Sequence, residues 1–154
     1  LGVLSRLPGA ARETALAEFA ERFRGNALVL DKWFSLQAMI PEAETLERVR
    51  GLMHHPAFSM GNPNRVRSLI GSFAMANLTQ FNRPDGAGYD FLADTVIALD
   101  ARNPQVAARL LTAFRTWKML EPGRRAEAEK ALRRVADTPG LSPDVADISG
   151  RSLS

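Results

Sequence analysis

The side chains most able to do chemistry here are a pair of histidines and a scatter of arginines, and their spacing limits what they can do. His54 and His55 are the only two histidines, and they are adjacent. On a helix, neighbours point about 100° apart, so the pair cannot converge on one ion as the i, i+4 histidines of an HExxH helix do. The surrounding His-His-Pro-Ala-Phe offers no glutamate in the right place, and the reading is a polar helix end, favoured there by the helix dipole. There is no cysteine, hence no disulfide and no thiolate ligand. No Gly-x-Ser-x-Gly elbow, phosphate-binding loop or dinucleotide fingerprint occurs. Asp85-Gly86-Ala87-Gly88 follows no strand pattern and reads as a turn. Asn77-Leu78-Thr79 fits a glycosylation acceptor by composition alone.

Two arginine groups remain. Arg124, Arg125, Arg133 and Arg134, with Lys130, are interleaved with Glu121, Glu127 and Glu129. Glu121–Arg125 and Glu129–Arg133 stand at i, i+4, the spacing of a self-paired solvated face. Arg65 and Arg67 differ. They lie in or just after the first turn of a helix opened by Asn62-Pro63, where cations oppose the helix dipole at about 0.3–1 kcal/mol each. Either they pair with carboxylates of neighbouring helices, or they serve an interface. Counting 100° per residue from the apolar set Val66, Leu69, Ile70 and Phe73, Arg65 falls at the edge of the buried face. Its guanidinium is expected to reach into an adjoining space.

The elements that position these residues read as helices throughout, which makes the fold class all-α. Leu16, Phe19, Ala20 and Phe23 share a face in 9–24, with Glu18 and Arg22 opposite. Val29, Leu30, Trp33, Phe34, Leu36 and Ile40 form a broad stripe in 26–40, and Leu46, Val49 and Met53 one in 42–54. After Asn62–Phe73, residues 77–88 are expected to be a loop. Further helices follow through Tyr89, Leu92, Ala93 and Val96, then from Asn103-Pro104, Glu121-Pro122 and Ser142-Pro143. A polar residue followed by proline is a start signal, since its side chain can accept an orphan N–H and proline needs no donor. About eight helices with short connections imply stacked antiparallel pairs. Residues 62–73 and 103–114 share Asn, Pro, Leu and Phe at a separation of 41, near the ~40–47-residue period of HEAT and armadillo arrays. A shared capping solution would give the same pattern.

The chain has 154 residues, one domain's worth, with 45% hydrophobic and 24% charged residues. A net charge of +3 is too weak to argue for nucleic acid, and no run approaches the ~20 apolar residues of a membrane span. Arg6 and Arg12 interrupt any signal-peptide pattern, so a cytoplasmic location is expected. Because the first residue is Leu1, the expectation is a processed product or a fragment of something longer.

Several stretches together resemble the C-terminal helical domain of bacterial aminopeptidase N, a zinc metallopeptidase. They are Asp31-Lys32-Trp33-Phe34-Ser35-Leu36-Gln37, Val49-Arg50-Gly51-Leu52, Asn62 to Ile70, Asp85-Gly86-Ala87-Gly88-Tyr89 and Ala101 to Ala107. They stand in family order and cover most of residues 10–135, while the last twenty residues match poorly. The resemblance implies a bowl of paired helices, HEAT- or armadillo-like, that closes over an upstream catalytic domain of the same polypeptide. That domain would hold the zinc and the exopeptidase motif, neither of which this sequence contains. It further implies that Met60, Gly61, Asn64 and Arg65 line the substrate chamber, with family variation at Met60 and Gly61. The domain would run 1–154, with a helical core over 9–137 and a tail over 138–154, frayed at Arg151–Ser154. The first reading is therefore a non-catalytic domain of a zinc aminopeptidase, itself without cofactor, that gates peptide access. The second is a free-standing helical-repeat module binding a peptide or protein on its concave face. The third, an enzyme with an unrecognised site, lacks a metal motif or a poised nucleophile.

Overall fold

The computed structural model describes residues 2–3, 6–7 and 9–154; Leu1, Leu4, Ser5 and Pro8 lie outside the described residues. Helices occupy most of the described chain, and no strand occurs among those residues. They group into two compact units, residues 1–77 and 78–154.

The first unit contains α1 (Gly9–Arg22), α2 (Ala27–Ala38), α3 (Thr45–Leu52), α4 (Pro63–Val66) and α5 (Ser72–Ala76). A π-helical stretch, Arg67–Gly71, joins the last two. Helix α2 is its centre, packing on α1, α3, α4, α5 and the π stretch. That explains the broad apolar stripe: Leu30, Trp33, Phe34 and Ala38 are all buried. Trp33 also satisfies its indole, donating from Nε1 to Leu16 O at 2.9 Å. Val66, Leu69, Ile70 and Phe73 are fully buried, as their spacing predicts. The π stretch is what the spacing does not show. Ser72 N–H donates back to Arg67 O, one residue further than in an α-helix, and Ser68 O receives instead a hydrogen bond from Ser35 Oγ at 2.9 Å.

The second unit contains α6 (Leu78–Phe81), α7 (Ala87–Asp100), α8 (Pro104–Leu111), α9 (Pro122–Ala136) and α10 (Pro143–Leu153), with 3₁₀ turns at Thr112–Phe114 and Trp117–Met119. Helix α7 packs on α6, α8 and α9, and α10 packs on α8 and α9. Two expectations are corrected here. Residues 77–88 are not wholly loop, because α6 lies inside them. Its four residues are too few to display a helical period, but they bury Phe81 against Tyr89 and Phe114, at 5.2 and 5.8 Å between ring centroids. Nor is the end of the chain a frayed tail. Helix α10 runs to Leu153, and Trp117 Nε1 donates to Ser152 O at 2.9 Å. The helix is pinned at its start as well. The buried Asp100 accepts from Ser142 N at 2.7 Å and Ser142 Oγ at 2.6 Å.

All four polar-Pro start signals work as expected. Asn62, Asn103 and Ser142 each accept from the backbone N–H three residues on, at 3.2 Å. Glu121 accepts from Gly123 N and Arg124 N at 2.8 and 2.7 Å, which holds its carboxyl below the usual range. Glu129 pairs with Arg133 as the spacing implies, whereas Glu121 reaches Arg124. The two Asn-Pro helices then diverge, one into a π stretch and the other into a 3₁₀ turn.

The glycine-rich turn is a packing joint. Gly86 takes φ +74° at the start of α7. At Gly88 an added Cβ would lie 2.2 Å from Phe81 O. Tyr89 OH donates to Asn82 Oδ1 at 2.7 Å, and burial pushes its phenol up to about 12. Arg124 Nε donates to Asn82 O at 2.7 Å from α9. Gly88→Ala is therefore expected to destabilise the chain by about 1–3 kcal/mol or more, since a backbone carbonyl must move. Gly51→Ala, in a helix where a Cβ meets nothing within 4 Å, is expected to be neutral or stabilising by up to about 1 kcal/mol. Urea unfolding of both variants beside the parent chain checks the contrast.

Candidate functional site

The segment marked in the sequence runs from the end of α3 through the π stretch. Residues 53–62 cross from α3 to α4 in tight turns: Phe58 N donates to His55 O, Asn62 N to Ser59 O and Gly61 N to Ser59 Oγ. The turn leaves Met60 half-buried and Gly61 exposed. Gly61 has no positive φ, and a Cβ there would meet only Ser59 Oγ, at an ordinary 3.4 Å. Nothing in the chain's own packing requires a glycine, so its effect is to leave the surface low.

The structure separates the four expected site residues. Asn64 is exposed and lines a polar groove of about 340 Å³ with Asp31 and Ser35 of α2, Arg67 and Ser68 of the π stretch, and Ser72 of α5. Arg67 donates to Asn64 Oδ1. Arg65 turns the other way. It is only 5% exposed, and its Nε donates to Asp31 Oδ1 at 2.7 Å. Its Nη1 donates to Ala57 O, and its Cζ stands 5.3 Å from the Phe34 ring centroid. The expectation that the guanidinium reaches outward is therefore corrected: of the two readings of Arg65, pairing with a neighbouring helix is the one observed. Aspartate and aromatic partners inside the unit outweigh solvent for a side chain that starts at the edge of the buried face.

Sequence reasoning passed over Asp31, Ser35 and Ser72 as site residues. Asp31/Ser35 and Ser68/Ser72 each stand at i, i+4, and such polar pairs inside apolar helices are a signal that two helices share a polar seam. In the structure Ser35 donates to Ser68 O, and Ser72 Oγ donates to Ser35 Oγ at 3.2 Å. On the other side of α2, a groove of about 850 Å³ has Leu16, Ala20, Leu30, Trp33, Leu52 and His55 among its lining residues.

The histidines do not fit a zinc site. His54 is exposed, and His55 Nδ1 already accepts from Ala57 N at 3.0 Å. Among the described residues no three His, Cys, Asp or Glu side chains are grouped to hold a metal ion.

The family described as "Domain of unknown function (DUF3458_C) ARM repeats" matches residues 1–154. The chain belongs to this ARM-repeat family. The chain is 41% identical over 145 residues, 94% of its length, to Aminopeptidase N of Haemophilus influenzae. It is 41% identical over 152 residues, 99% of its length, to Aminopeptidase N of Escherichia coli. It spans 17% of the length of either relative. The structure of Legionella pneumophila aminopeptidase A in complex with aspartic acid aligns with a TM-score of 0.87 at 32% identity, over 92% of this chain and 16% of that one. The resemblance to the C-terminal helical domain of bacterial aminopeptidase N thus holds over nearly the whole chain, including the final helix.

For this ARM-repeat domain, Arg65→Ala leaves the part-buried Asp31 carboxylate at the groove wall without its cation. The expected cost is about 3–5 kcal/mol, against less than about 1 kcal/mol for the exposed Arg67→Ala. Thermal melts of the two variants measure the difference.

Proposed function

We propose that this chain is the non-catalytic C-terminal domain of a cytoplasmic zinc aminopeptidase that removes N-terminal residues from peptides. In this reading it caps and shapes the active-site chamber and controls which substrates enter. Its partner is the upstream catalytic domain of the same polypeptide, which holds the zinc. One observation carries the reading: the chain is 41% identical to Aminopeptidase N proteins over nearly its whole length while spanning 17% of theirs. A segment of that size and likeness is one part of a larger machine.

Met60, Gly61, Asn64 and Arg65 are proposed as the chamber-facing segment, with distinct roles. Met60 offers apolar surface, Gly61 leaves room, and Asn64 offers an amide beside the groove. Arg65 is a positioning residue. It holds the turn 53–62 through Ala57 O and anchors α4 to α2 through Asp31. The polar groove adds the Arg67 guanidinium, whose further N–H groups suit peptide carbonyls, beside the Ser35 and Ser72 hydroxyls, which already donate to Ser68 O and Ser35 Oγ.

Asn64→Ala and Gly61→Ala in the full-length enzyme are expected to alter kcat/KM by up to about tenfold, unequally across peptides with different first residues. The same changes are expected to move the stability of this domain by less than about 0.5 kcal/mol. Steady-state kinetics on a panel of aminoacyl and peptide substrates provides the check. Identical constants on every substrate would remove the segment from the chamber. The isolated chain is expected neither to retain stoichiometric zinc nor to turn over aminoacyl substrates, and chelator-sensitive turnover by it would overturn the non-catalytic assignment.

A further inference from the structure

In the turn carrying Met60 and Gly61, Ala57 is bonded through both its backbone N–H and its carbonyl. Ala57 N donates to His55 Nδ1 at 3.0 Å, and Ala57 O accepts from Arg65. An imidazole nitrogen that accepts a hydrogen bond carries no proton, so the observed geometry belongs to neutral His55 with its hydrogen on Nε2. The ring is wedged against α2, 5.1 Å from Trp33 and 5.7 Å from Phe34 between centroids, and Phe34 also carries the Arg65 guanidinium.

We propose that His55 is an acid-sensitive clasp: protonation of its Nδ1 releases Ala57 and loosens residues 53–62. The new N–H would face the Ala57 N–H, donor against donor. It would also place a second cation near Arg65, and among the described residues the glutamates lining the shared groove are already paired. From α1, Glu13 and Glu21 line the groove that His55 shares, with Arg24 from the turn after it, and α3 contributes Arg48. Glu13 is paired with Arg48 and Glu21 with Arg24. From α2, Asp31 is bound to Arg65 of α4. On its own segment the neighbouring His54 is exposed and carries no negative charge.

Burial, and after it the Arg65 charge, holds the His55 imidazole below its ordinary range. The folded chain therefore takes up this proton later than the unfolded chain. The clasp is complete above the ordinary value of 6.5 and weakens as pH falls below it. The consequence for substrate selection rests on the proposed chamber-facing role of Met60 and Gly61, but the clasp itself does not.

Its test uses this chain alone, without peptidase activity, so the two ideas fail separately. Nitrogen NMR of His55 and hydrogen exchange at the Ala57 amide are followed from pH 8 to pH 5. The expected result is an Nε2–H tautomer at high pH. Ala57 protection, corrected for intrinsic exchange, falls by up to about tenfold per pH unit as pH drops from 6.5 towards the His55 midpoint. In His55→Asn, whose amide oxygen can accept the same N–H but does not titrate, protection is expected to stay level. An Nδ1–H tautomer, or Ala57 protection that ignores the His55 titration in the wild-type chain, would overturn the proposal. So would the same pH dependence in the Asn variant.

Discussion

The Arg65–Asp31 ion pair is the constraint on which the crossing turn and the polar groove of the first unit depend. Arg65 reaches three separate parts of the chain. It bonds Asp31 and covers Phe34 on α2, bonds Ala57 in the crossing turn, and stands on α4 behind the Asn62 cap. A cation this buried is tolerable only with its partners in place, so the pair fixes geometry as much as it adds stability. By drawing Arg65 inward it also decides which neighbours face out. Asn64 precedes it, Arg67 follows two residues on, and both line the groove that Arg65 leaves.

Around that anchor the helices depart from regular geometry. The π stretch releases Ser68 O from its usual donor, and Ser35 supplies the replacement from α2. The serine seam thus satisfies the backbone where the ladder shifts, while its residues stay at the edge of an open groove. The second unit uses the same principle for a structural end. Asp100 bonds Ser142, which caps α10, and Trp117 holds the far end of that helix through Ser152 O. In both units one polar side chain reaching across helices sets the place of a segment whose own apolar content is modest.

Much of this was legible in the sequence, for reasons that can be named. Helix starts at Asn62, Asn103, Glu121 and Ser142 are local capping chemistry, readable from two adjacent residues. The burial of Val66, Leu69, Ile70 and Phe73 follows from spacing alone. What stayed hidden is non-local. The single turn of α6 is stabilised by rings on α7 and beyond it, and α10 by Asp100 and Trp117. Helical angle put Arg65 at a boundary but could not say which way a long side chain would turn there, because its partner Asp31 lies 34 residues away. Of the two neighbours Asn64 and Arg65, Asn64 is the exposed one, and the i, i+4 pairs Asp31/Ser35 and Ser68/Ser72 were the overlooked sign of a polar seam.

The central claim is that the turn and groove around Met60 to Asn64 face substrate while Arg65 supports them from beneath. A structure of the full-length enzyme with a bound peptide analogue tests it most directly. The account predicts the peptide in van der Waals or hydrogen-bond contact with Met60, Gly61 or Asn64, and Arg65 still bonded to Asp31 and Ala57. A peptide bound with this face of the first unit turned to solvent, or with Arg65 swung out to contact it directly, would contradict the account.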